Sequence, residues 1–155
     1  MSDAGYSGGC QCGAGRFHAG KLGRPSICHC RMCQKHFGNF FGALVTADQA
    51  HLTWTRGQPT LFRSSAKIHR GFCNKCGTPL TYHNPGGVEI AIGAFDHPQE
   101  IEPQVQVNAH MQMPWIKALF DKPHAEQSLD ESSMVSYQHP DHDTHVWPPE
   151  DNVNP

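Results

Sequence analysis

Seven cysteines carry the chemistry that can be read most directly from this chain, and they divide into three short clusters. Cys10 and Cys12 form a C-x-C, Cys28, Cys30 and Cys33 a C-x-C-x-x-C, and Cys73 and Cys76 a C-x-x-C. Thiolates at these spacings are soft metal ligands of the kind zinc accepts. A structural zinc takes four protein ligands, whereas a catalytic one takes three and keeps a position open. The two pairs together offer four sulfurs, and the triplet offers three. The spacing therefore predicts one closed all-thiolate site that ties the N-terminus to the middle of the chain, and a second, open site on the triplet. Three thiolates make the ion a weak Lewis acid toward water, yet one that still holds and deprotonates a further thiol.

Two other uses of these cysteines are weighed by the same spacings. Disulfides would leave one thiol over, a C-x-C is too short for easy bridging, and seven cysteines in 155 residues fall below the density of disulfide scaffolds. The stretch Met1 to Gly5 shows no basic segment followed by an apolar run, so reduced thiols and a cytoplasmic location are expected. A zinc deaminase would need a glutamate two positions after its first ligand and a P-C-x-x-C; Cys30 occupies the first position and no proline precedes the pair. The triplet could instead be closed by an imidazole. His29, in an extended segment, would point away from the face carrying Cys28 and Cys30, which leaves His36, three residues after Cys33, as the candidate.

The elements that must position these sulfurs read as mostly short strands. Glycine and proline punctuate the chain every ten or so residues, and no stretch carries a long helical stripe. Strand-like runs span Ala14 to Ala19, Phe40 to Thr46, His51 to Thr55, Thr60 to Arg63, Lys67 to Phe72, Pro79 to His83, Val88 to Ile92 and Gln104 to Ala109. Short helical turns are expected at Arg31 to Phe37 and near Pro114 to Phe120, where proline would take the first helical position. The pattern predicts a mainly β fold, a twisted sandwich or partial barrel with zinc knuckles. One domain over residues 1–127 is expected, followed by a His-, Asp- and Pro-rich tail over 128–155 that lies on the surface or moves freely. The twelve Lys and Arg against fourteen Asp and Glu, a net charge of -2, lack the basic footprint of a nucleic-acid binder. No apolar run is long enough to span a membrane.

Taken in order, Gly9-Cys10-Gln11-Cys12-Gly13, Cys28-His29-Cys30-Arg31-Met32-Cys33, Leu61-Phe62-Arg63-Ser64-Ser65 and Phe72-Cys73-Asn74-Lys75-Cys76-Gly77-Thr78-Pro79-Leu80 resemble the glutathione-dependent formaldehyde-activating enzymes and the centromere-protein-V-like proteins grouped with them. The resemblance runs from about Tyr6 to Pro114-Trp115. It implies a β-tent fold, a structural zinc on Cys10, Cys12, Cys73 and Cys76, and a catalytic zinc on Cys28, Cys30 and Cys33. It also implies a carbon-sulfur lyase that makes or breaks the adduct of a small thiol, glutathione in the named case, with formaldehyde. Anionic glutathione would need fixed donors, for which Lys35, Arg63, Lys67 and Arg70 are the basic residues nearest the clusters in sequence, with Ser64 and Ser65 as neutral donors. Trp115 could wall a pocket or fill the core. The alternative is a non-catalytic, zinc-stabilised interaction module, and the oligomeric state is left open.

Overall fold

The computed structural model describes residues 5–126 and 133–149. Within them the chain forms ten strands and one α-helix: β1 (Tyr6–Gly9), β2 (Arg16–Ala19), β3 (Leu22–Cys28), α1 (Arg31–Phe37), β4 (Gly42–Ala47), β5 (Leu52–Arg56), β6 (Thr60–Arg63), β7 (His69–Phe72), β8 (Pro79–Asn84), β9 (Gly87–Ala91) and β10 (Val105–Val107). Three strands make a small sheet in the order β1-β2-β5. The other seven make a large one in the order β10-β3-β4-β9-β8-β7-β6. All neighbours are antiparallel except β10 and β3. Both sheets keep free edges, so the fold is mainly β with two open sheets and does not close into a barrel.

Strict alternation along the central strands decides which face is core. Val45 and Ala47 of β4, with Val88 and Ile90 of β9, pack with Leu80 against Phe17 and Ala19 of the small sheet. Phe17 is fully buried between edge-on Phe95 and Trp54, at 5.1 and 5.6 Å between ring centroids. Burying such a ring contributes about 2–3 kcal/mol. The residues between these core positions, Leu44, Thr46 and Glu89, face the other side, where the chemistry lies. Gly8 lets the small sheet approach closely, since a Cβ there would meet Ala94 O at 2.4 Å.

Two strands appear where none was expected. Leu22–Cys28 contains Gly23 and Pro25, both turn signals by type. Proline is accommodated because the register against β4 shifts between Leu22 and Pro25, and a bulge tolerates a missing N–H. Tyr6–Gly9 is half glycine and carries no apolar alternation, and it becomes a strand by antiparallel pairing with β2, the next strand along the chain. The helical turn expected at Pro114 to Phe120 is instead a 3-10 turn over Ile116–Asp121, with Trp115 as its N-cap. Trp115 fills no core; it stands edge-on to Phe40 at 4.6 Å and is 40% exposed.

Residues 133–149 cross the first knuckle. His139 N donates to Gln11 O at 2.7 Å, Trp147 Nε1 donates to Cys12 O at 2.6 Å, Arg56 binds Thr144 O, and Arg16 reaches Asp143. His139 is buried against Gly13, whose φ of +76° and lack of a side chain both serve the contact; a Cβ would lie 2.0 Å from the imidazole. The expected boundary at residues 127 and 128 lies outside the described residues.

Candidate metal centres and the cavity over the cysteine triplet

The four paired cysteines meet through two glycine-ended turns. Gly13 N donates to Cys10 O at 2.9 Å, Gly77 N donates to Cys73 O at 2.8 Å, and both glycines sit at positive φ. Thr78 joins the turns, its hydroxyl accepting from Gln11 N at 2.9 Å while lying 3.1 Å from Cys76 Sγ. Cys10 Sγ is 3.6 Å from Cys12 Sγ, which is 3.8 Å from Cys73 Sγ, and all four sulfurs lie within 4.8 Å of one another. Sulfurs about 2.3 Å from a tetrahedral zinc stand roughly 3.8 Å apart, whereas a disulfide is about 2.05 Å long. All seven cysteines are free. The donor set therefore fits zinc.

Burial raises the Cys10 and Cys12 thiols. Burial also opposes ionisation of Cys76, but hydrogen bonds from Thr78 and from neighbouring backbone outweigh it and bring that thiol to about 6. A cluster that ionises one thiol easily and resists further negative charge is one a divalent cation would complete.

The triplet is built at the junction of β3 and α1. Cys28 ends the strand, Cys30 is the helix N-cap and accepts from Cys33 N at 3.3 Å, and Cys33 lies in the first turn. Gln34 anchors that turn, its side-chain amide donating to His29 O at 2.8 Å and Met111 O at 3.2 Å. The three sulfurs also lie within 4.8 Å of one another and fit the same soft ion. Cys28 is lowered to about 5, chiefly by the Cys33 thiol donating to it, with Asn108 Nδ2 a further donor at 3.4 Å. Cys33 is correspondingly raised by that bond and by burial.

Neither nearby histidine joins them; among the described residues no imidazole nitrogen groups with the three sulfurs. His29 is buried on the opposite side and binds Gln106 Oε1 through Nε2 at 2.8 Å. His36 lies edge-on to Phe37.

Above the triplet opens a cavity of about 660 Å³ whose wall is one face of the large sheet. The pairing explains its composition, because Val107 stands opposite Cys28, Ser26 opposite Leu44, and Thr46, Glu89, Tyr82 and Arg70 follow one another across β4, β9, β8 and β7. Arg24 is exposed at its edge. In a flat sheet β7 would lie roughly 19 Å from β3. Sheet twist, with α1 resting on β4, closes that distance, so that both Arg70 Nη atoms reach Cys33 Sγ at 3.6 Å.

Of the basic residues expected near the clusters, only Arg70 is buried and at the sulfurs. Lys35 lines a smaller neighbouring pocket with Met32, His36 and Ser64, while Arg63 at the end of β6 and Lys67 in the turn after it are exposed, Arg63 donating to Ala66 O. Ser64 binds Arg70 Nε at 2.9 Å, and Ser65 closes its own turn on Lys67 N. Glu89, Tyr82 and Asn108 were not anticipated. The alternation Val88-Glu89-Ile90 places Glu89 opposite the core, but only the strand order shows that this face carries the triplet.

Burial, with the Cys28 charge second, raises the Glu89 carboxyl above the usual range. Between the unfolded and folded values the native state holds the extra proton, so this group's contribution to stability is present at low pH and is lost as pH rises through the folded value. Glu89→Gln is expected to raise the denaturation midpoint at neutral pH and to flatten its pH dependence in that window, measured by urea titration. An unchanged pH profile would show that the carboxylate is solvated.

Residues 5–111 match the sequence profile described as "Glutathione-dependent formaldehyde-activating enzyme", and the chain belongs to that family. A crystal structure of a Rhodobacter sphaeroides protein shares the fold at a TM-score of 0.52 and 19% identity, over 65% of this chain and 99% of the other.

Proposed function

We propose that this chain is a two-zinc carbon-sulfur lyase acting on a thiol-aldehyde adduct, with glutathione and formaldehyde as the pair the family suggests. Cys10, Cys12, Cys73 and Cys76 hold the structural zinc, and Cys28, Cys30 and Cys33 the catalytic one. The observation that carries this reading is that three converging thiols, with no fourth protein donor grouped with them among the described residues, underlie an open cavity. That no imidazole groups with the three sulfurs among the described residues favours the open site over closure by His36, and the cavity above them favours a small-molecule reading over an interaction module.

When bound, zinc supplies the Lewis acidity that lowers the pKa of an incoming thiol. The protein supplies orientation. Arg24 at the cavity edge and Asn108 beside Cys28 are donors for the carboxylates and amides of a peptide thiol, and the half-buried Tyr82 and Glu89 narrow the space above the sulfurs. In the forward direction the thiol sulfur forms a bond to the carbonyl carbon of formaldehyde, and the proton released by the thiol ends on the carbonyl oxygen, giving a hydroxymethyl thioether. The reverse breaks the same bond. Holding both partners in attack geometry is the main catalytic contribution expected of the wall. Among the described residues no helix is long and apolar enough to cross a membrane. Seven free thiols suit the cytoplasm, the location we assign.

The test is exchange NMR on 13C-formaldehyde mixed with glutathione. The zinc-loaded protein is expected to accelerate adduct exchange beyond the spontaneous rate, and Cys30→Ser, which keeps the four-cysteine site, is expected to abolish the acceleration. Equal exchange with and without protein, for glutathione and other small thiols alike, would sink the lyase reading.

A further inference from the structure

The two cysteine sites differ in their charge surroundings. Hydrogen bonds to the four-cysteine sulfurs come from neutral groups, Gly15 N on Cys10 and the Thr78 hydroxyl on Cys76. The triplet has instead a cation built into its wall. Arg70 is 2% exposed, both Nη atoms point at Cys33 Sγ at 3.6 Å, Nε donates to Ser64, and the guanidinium lies 5.0 Å from the centre of the Tyr82 ring. Among the described residues it forms no ion pair with a carboxylate. Arginine does not give up its proton in a protein, and a buried charge needs a counter-charge. Sulfur is the one on hand.

We propose that Arg70 is a positioning residue whose buried charge lets a fourth, anionic sulfur join the triplet, so that the cavity takes thiols in their thiolate form. This rests on the open-site reading above. A divalent ion with three thiolates carries one net negative charge, and a further thiolate would be repelled by it. Arg70 cancels that charge before the ligand arrives. The four sulfurs of the other site are all brought together by the fold itself and recruit no incoming anion, and among the described residues no cation donates a hydrogen bond to them. The placement is costly enough to require a reason: Arg70 stands opposite Tyr82 on β8 and Phe62 on β6, in a strand whose next residue is a glycine, and its guanidinium is held from three sides.

The test loads Co2+ into the triplet site and follows the sulfur-to-cobalt absorption as glutathione is added at several pH values, for the wild type, Arg70→Gln and Arg70→Lys. Circular dichroism reports folding in parallel. Charges this close in a partly buried site interact strongly, so Arg70→Gln is expected to weaken glutathione binding roughly tenfold or more at neutral pH and to move the binding midpoint to higher pH. Arg70→Lys, which keeps the charge but not the fork, should recover most of the loss. If Arg70→Gln does not fold, the Lys variant decides, with a loss of a few-fold and a smaller upward midpoint shift expected. Loss of thermal stability with unchanged affinity and midpoint would make Arg70 merely structural and overturn the proposal. Wild-type cobalt that responds to no thiol would overturn the open-site reading itself, an outcome distinct from a responsive wild type with indifferent Arg70 variants.

Discussion

Cys73→Ser is expected to leave the chain without a cooperative folded state, whereas Cys28→Ser unfolds at nearly the wild-type midpoint. Cys73 is buried where two turns some sixty residues apart are pinned together, and it packs with Cys10 in the main hydrophobic core. Structural zinc sites of this kind are worth roughly 10–16 kcal/mol, against about 5–15 kcal/mol for a whole domain, so losing one ligand removes a share the rest cannot replace. Cys28 is half-buried and lines the cavity, and the backbone pairing of its strand with β4 and β10 does not depend on the thiol. Thermal denaturation of the two zinc-loaded variants, followed by near-UV circular dichroism, gives the comparison. Equal destabilisation would mean that the triplet is structural as well.

Asp96→Ala should cost about 3–5 kcal/mol and Asp143→Ala about 0–1 kcal/mol, although both carboxylates bind the same arginine. Asp96 takes both prongs of Arg16, at 2.7 and 2.6 Å, with the two side chains 3% and 7% exposed. Removing it leaves a buried guanidinium with only the exposed Asp143 as counter-charge. Asp143, 2.8 Å from Arg16, is 55% exposed, so water replaces most of what it offers. Urea denaturation of the zinc-loaded variants separates the two, and similar losses would show that residues 133–149 hold the body together as strongly as the buried pair does.

Much of the site was legible because its chemistry is local in sequence. Cys30 caps the helix that carries Cys33, and the helix runs over Arg31–Phe37 as expected. The strand Thr60–Arg63 also falls as expected. What stayed hidden depends on partners far along the chain. Pro25 reads as a strand breaker until the bulge against β4 supplies its setting. Arg70 reads as one more surface cation until the twisted sheet carries it to Cys33, 37 residues away. Glu89 and Tyr82 become neighbours of the triplet only through the strand order, and Asp96 becomes the partner of Arg16 only through packing between elements 80 residues apart. The tail offered no periodicity to read; its contacts with Gln11 and Cys12 rest on single hydrogen bonds to backbone carbonyls of the first knuckle, and Arg56 reaches it from β5 through its guanidinium.

The central claim is that the triplet metal keeps a position for a thiol. X-ray absorption at the cobalt edge, on protein carrying cobalt at the triplet and zinc at the four-cysteine site, counts its sulfur ligands directly. Three sulfurs and one light atom are expected without substrate, rising to four sulfurs when glutathione is added. Three sulfurs with a fixed imidazole, unchanged by any thiol, would contradict it.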